Sequence, residues 1–163
     1  MSNLPASNPS GSNPADPPFA VTIEVRDSCL CLHLQRAARA VARRFDDVLR
    51  PLGLTNGQFS LMMSLNRPEP ASIKSVAALL GLDRTTLTAN LKPLERRALV
   101  EGVADDADRR TRRLVLTPSG RSLLARAVPV WRKTHTAIEG LLSPGDADRL
   151  RADLAALSRL GES

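Results

Sequence analysis

Residues 72–120 read SIKSVAALLGLDRTTLTANLKPLERRALVEGVADDADRRTRRLVLTPSG, and the changes of rhythm in this stretch decide the fold. Ser72 is a cap residue before a short apolar run with Val76, Leu79 and Leu80 on its inner face, and Gly81 is the residue type that ends a helix. Asp83 then caps a second helix with Leu87, Leu91, Leu94 and Ala98 on one side and Thr85, Thr88, Lys92 and Arg96 on the other. Pro93 removes one hydrogen bond inside it and is expected to bend it. Beyond it the period changes to two. Residues 100–104 and 112–117 read as strands, the second alternating Arg112, Leu114, Leu116 with Arg113, Val115, Thr117, around a tip at 105–110. Short helix, glycine turn, capped helix and hairpin predict a helix-turn-helix followed by a wing.

Working outward, Thr117-Pro118 is a cap followed by a first-turn proline, starting a long helix with Leu124, Ala127, Trp131, Thr134, Ile138 and Leu141 at heptad-like steps. A last helix starts at 143–146 and carries Leu150, Leu154, Leu157 and Leu160. Upstream, a helical period runs from Asp27 through Leu30, Leu34, Val41 and Phe45 until Pro51 and Gly53 stop it. Thr55 caps the next helix, which Pro68 and Pro70 close. Residues 1–20 are rich in Pro, Ser and Asn, a composition that cannot bury enough surface to order itself. The expected organisation is a disordered leader over 1–25, a helical dimerisation region made of 26–53 and 118–160, and a DNA-reading region over 54–117. The fold class is mainly α with a small two- or three-stranded β wing: a winged helix-turn-helix with N- and C-terminal dimerisation helices. Two long apolar-striped helices exceed what the reading region needs to cover its own core, which makes a subunit interface their expected use.

The chain has 163 residues, 23 Lys plus Arg against 17 Asp plus Glu, a net charge of +6 and a sequence pI near 10.6, a balance that favours a polyanionic partner. Only Lys74, Lys92 and Lys133 are lysines, so most cations are guanidinium forks suited to phosphates and base edges. No apolar run is long enough to span a membrane and the N-terminus lacks the apolar core of a signal peptide, so a reducing cytoplasm is expected. Neither a nucleophile with a base nor a phosphate loop is visible, which argues against an enzyme, and no cofactor is implied.

Arg84, Thr85, Thr86, Thr88, Asn90 and Lys92 give the second helix donors, acceptors and a methyl-bearing surface without bulk, which is what a major groove admits. Arg109, Arg110, Arg112 and Arg113 crowd the hairpin, where a tip arginine can enter a narrow minor groove. The bland alternative for the run is a solvated turn balanced by Asp105, Asp106 and Asp108. A helical assembly module that does not bind DNA is the alternative for the whole chain, and salt-dependent DNA binding separates the two.

The stretch from Ser72 to Gly120, with RTTLTANLKPLERRALVE and then DADRRTRRLVLTPSG, resembles the MarR family of regulators. The family's wing pattern is matched by Asp108, Arg110, Leu116, Thr117 and Gly120, and helix order agrees from about Asp27 to Leu160. The resemblance implies a homodimer on a near-palindromic operator, usually repressing, and released by a small aromatic or phenolic effector. It places Thr85, Thr86, Thr88, Asn90 and Lys92 on the major-groove face, Arg110 in the minor groove oriented by Asp108, and Ser72 and Lys74 on phosphates. It also puts His33, Phe59, Met62 and Met63 among the candidate effector contacts.

Cys29, Cys31 and His33 invite a metal or redox reading. On one continuous helix Cys29 and His33 share a face and Cys31 points away, which speaks against a metal site and against an intrahelical disulfide. LCLHLQRAAR resembles the first helix of the family's hydroperoxide-sensing branch, with Cys31 at the reactive position. That branch uses tyrosine hydroxyls, and this chain has no tyrosine. Redox sensing through Cys31 stands second to effector sensing.

Overall fold

The computed structural model describes residues 16–104 and 112–160. Its elements are α1 (Phe19–Ser28), α2 (Leu30–Leu49), a 3-10 turn (Arg50–Leu52), α3 (Asn56–Ser64), β1 (Ala71–Ser72), α4 (Ile73–Leu80), α5 (Arg84–Arg96), β2 (Val100–Ala104), β3 (Arg112–Leu116), α6 (Pro118–Glu139) and α7 (Asp146–Ser158). The chain divides into two compact units, one ending at Ala40 and the other beginning at Val41.

In the first unit, residues 19–25 of the stretch expected as a disordered leader are helical, as part of α1. The helix expected to run unbroken from Asp27 is interrupted. Asp27 and Ser28 end α1, and Cys29 leaves the helical region with a ψ of 106°. Ser28 Oγ donates to the Glu24 carbonyl at 2.6 Å, the kind of back-bonding that loosens a helix end. α2 then starts at Leu30, so the one-helix geometry used to separate Cys29 from Cys31 does not hold.

In the second unit, α3 opens with a reciprocal cap: Thr55 accepts from the Gln58 backbone N–H while the Gln58 side chain accepts from Thr55 N–H at 3.1 Å. Leu49, Leu61, Met62, Leu87 and Leu94 are fully buried and hold α2, α3 and α5 on one core. β3 is the middle strand of an antiparallel sheet ordered β1-β3-β2, with Leu114 opposite both Ala71 and Gly102. Its alternation buries Leu114 and Leu116.

Two caps connect the sheet to its neighbours. Gly81 sits at φ 62°, the left-handed conformation that ends α4 and turns the chain toward Asp83. Thr117 Oγ1 accepts from Gly120 N at 3.0 Å and donates to the Ala98 carbonyl at 2.7 Å. A Cβ on Gly120 would lie 2.0 Å from the Leu99 carbonyl oxygen, so only glycine lets α6 begin against that backbone. Two positions expected on inner helix faces are exposed: Leu79 is 68% exposed, and Ala98 follows α5 at φ 51°. Leu141, the last of the heptad-like positions, is 83% exposed beyond the end of α6. In α7 no residue is buried, and Leu150, Leu154 and Leu157 are exposed.

Candidate nucleic-acid interface

α4, the Gly81 turn and α5 form the helix-turn-helix, and Asp83 fixes where α5 begins. Its carboxylate accepts from Thr86 N at 2.8 Å and from Thr86 Oγ1 at 2.7 Å. The backbone donor, then the hydroxyl, hold the Asp83 carboxyl below its ordinary range. Thr86 is thereby occupied with the cap. Thr88 Oγ1 donates to the Arg84 carbonyl at 2.7 Å, which leaves its methyl group and its acceptor lone pairs for other contacts.

At about 100° per residue, Thr85, Ala89, Lys92 and Arg96 lie opposite Leu87, Leu91 and Leu94. Arg84, Thr85, Thr88, Ala89 and Lys92 together line one surface depression. Asn90 is not among them. Its Nδ2 donates to the Thr86 carbonyl at 3.2 Å, and its Oδ1 lies beside Gly57 of α3, 3.1 Å from where a Cβ would stand. Pro93 is inside α5, as expected.

Ser72 caps α4 by accepting from Ser75 N at 3.0 Å, and Lys74 is exposed in the first helical turn. Asp108, Arg109 and Arg110 lie outside the described residues. Arg112 is described, and its guanidinium Nη2 is 2.7 Å from Glu95 Oε1 on α5. Sequence reasoning missed Glu95. The available signal was Gly102, a glycine in mid-strand, which marks a close approach.

A cavity of about 540 Å³ is lined by Phe59, Met63, Leu79, Leu80, Trp131 and Arg132, among others. Phe59 and Met63 therefore reach it. Met62 is buried in the core instead, and His33 belongs to the first unit, where its Nε2 is 3.2 Å from the Asp27 carbonyl oxygen. Trp131 stacks between Phe59, at 6.3 Å between ring centroids, and His135, at 4.6 Å. Leu79 was placed on an inner helix face and Trp131 at a heptad-like step from periodicity alone, which does not distinguish a cavity wall from packed interior. Among the described residues, no group of three His, Cys, Asp or Glu is placed to hold a metal ion, and no helix is long and apolar enough to cross a membrane.

Residues 54–111 match the MarR family model. The Mycobacterium tuberculosis transcriptional regulator MosR, solved in complex with DNA, is 40% identical, the match covering 83% of this chain and 97% of that one with a TM-score of 0.73. The chain belongs to the MarR family. Among other MarR-like structures, the transcriptional repressor CouR, solved on a 23-mer DNA duplex, is 32% identical, with 83% and 96% coverage and a TM-score of 0.75. The regulator TtmR of Methylorubrum extorquens is 36% identical over 97 residues, which are 60% of this chain and 50% of that protein. These MarR relatives are transcriptional regulators, not enzymes, and the winged helix-turn-helix is the fold that the two solved structures share with this chain.

Proposed function

We propose that two copies of this chain bind a near-palindromic DNA operator as a transcriptional repressor. α5 enters the major groove with Arg84, Thr85, Thr88 and Lys92 outward. The hairpin tip carrying Asp108, Arg109 and Arg110 enters the adjacent minor groove, and Ser72, Lys74 and the start of α4 meet phosphates. Thr86 and Asn90 support α5 from its flanks. The observation that carries this reading is the outer face of α5, which is polar, cationic and uncovered opposite a fully buried leucine stripe. Relatives solved on DNA support it. The exposed leucines of α7 support pairing through 118–160, together with 26–53.

The effector is a small aromatic molecule seated against Phe59, Met63 and Trp131, in a cavity of the size that holds such ligands. Enrichment of duplexes from a random pool, followed by footprinting, tests the assignment. The expected result is a symmetric site with half-sites about one helical turn, roughly 10 bp, apart. Enrichment of no sequence over random duplex rejects it.

A second signal reading rests on Cys31. Cys31 is an exposed residue, and its sulfur lies 3.2 Å from the Gln35 amide nitrogen, a position open to an oxidant. Operator affinity measured before and after peroxide, with Cys31→Ser as control, decides this reading. Loss of affinity in the parent alone supports it.

A further inference from the structure

The sequence puts Arg112 among the DNA contacts, yet its guanidinium is paired within the protein, with 55% of the side chain exposed. In the β2–β3 pairing Ala104 faces Arg112 and Gly102 faces Leu114, so Gly102 is the diagonal neighbour of Arg112 on one face of the hairpin. The guanidinium passes over that glycine. A Cβ there would stand 1.8 Å from Arg112 Nε and 2.6 Å from Nη2. Beyond Gly102 the fork ends on Glu95 of α5, whose side chain is only 25% exposed.

Three residues from three elements thus make one contact: the carboxylate on the DNA-reading helix α5, the arginine on the middle strand β3, and the gap left by glycine on the edge strand β2. A glycine in mid-strand weakens the sheet and is retained where another group approaches closely. Here that group is the hairpin's own arginine. A cation folded against a strand and faced by a carboxylate is poorly placed to neutralise a phosphate.

We propose that Glu95, Gly102 and Arg112 form a clamp that sets the angle of the wing against α5, making Arg112 a positioning residue for DNA binding. The proposal rests on the DNA-binding reading above. Its test uses the full chain and the enriched operator duplex, with affinity measured over a KCl series for Arg112→Ala, Gly102→Ala and the double variant. Each single variant is expected to weaken operator binding about two- to fivefold, the scale of a partly exposed ion pair. The double variant is expected to be no weaker than Arg112→Ala, because the methyl group of Ala then has no side chain to displace. The salt slope of Arg112→Ala is expected to equal that of the parent. A slope shallower by about 1.8, which is about 0.9 from each of the two copies, identifies a phosphate contact and overturns the clamp. So does a Gly102→Ala loss of equal size in both backgrounds.

The contact is also readable without DNA, through the Arg112 Nε–H resonance of the free protein. It is expected to move in Gly102→Ala and in Glu95→Gln, and a resonance unmoved by both overturns the clamp. If the parent protein enriches no duplex, the DNA reading falls and the clamp's role in binding falls with it. The resonance tells that failure apart from a clamp that never forms.

Discussion

At the residue scale the caps are the points where chemistry most directly fixes geometry. Thr117 serves both the first turn of α6 and the Ala98 carbonyl, so Thr117→Ala is expected to lower stability by about 1–2 kcal/mol in urea unfolding. Gly120→Ala drives a methyl group into the Leu99 carbonyl and is expected to cost about 1–3 kcal/mol by the same measurement. Asp83 carries a pH signature. Its carboxyl is held below its ordinary value in the folded chain, so its contribution is fully present above about pH 4 and is lost as pH falls through the folded value. The stability difference between the parent and Asp83→Asn is therefore expected to shrink in favour of the variant between pH 5 and pH 3. A difference that stays flat across that range removes the cap from the account. Thr55, Ser72, Asp83 and Thr117 were all legible as caps, because each is a short oxygen-bearing side chain immediately before an apolar helical period.

At the element scale the order of helices and strands was legible, since leucines at steps of three and four and alternation in 112–117 are properties of the chain itself. The Ser28–Cys29 interruption was not. It depends on a hydroxyl turning back to a carbonyl four residues earlier, and a hydrophobic period carries no trace of that choice. The same limit applies to Asn90. Its residue type suited base recognition, but its side chain lies against Gly57 of α3, a long-range contact invisible from α5 alone. Within the proposed interface the hairpin, α4 and α5 predict different losses. Arg110→Ala is expected to weaken operator binding severely, with the oligomeric state unchanged in sedimentation. Lys74→Ala is expected to weaken all duplexes alike and flatten the salt slope by about 1.8, about 0.9 from each of the two copies. Thr88→Ala, on the outer face of α5, is expected to change the preferred base at one position of each half-site, by about 1–3 kcal/mol.

At the scale of the whole molecule, the exposed leucines of α7 set the expectation for assembly. A helix with no buried residue and an apolar stripe needs a second surface. Leu154→Glu is expected to shift sedimentation toward the monomer while far-ultraviolet circular dichroism keeps its helical form, and an unchanged sedimentation coefficient places the interface elsewhere. The stacked ring on the cavity wall has an optical consequence. The chain has one tryptophan and no tyrosine, so its near-ultraviolet absorption and its emission arise almost wholly from Trp131. That indole sits between Phe59 and His135 on the wall where an effector would rest. The native protein therefore carries a single chromophore placed at the cavity, and occupancy there can be followed by quenching without attaching any label.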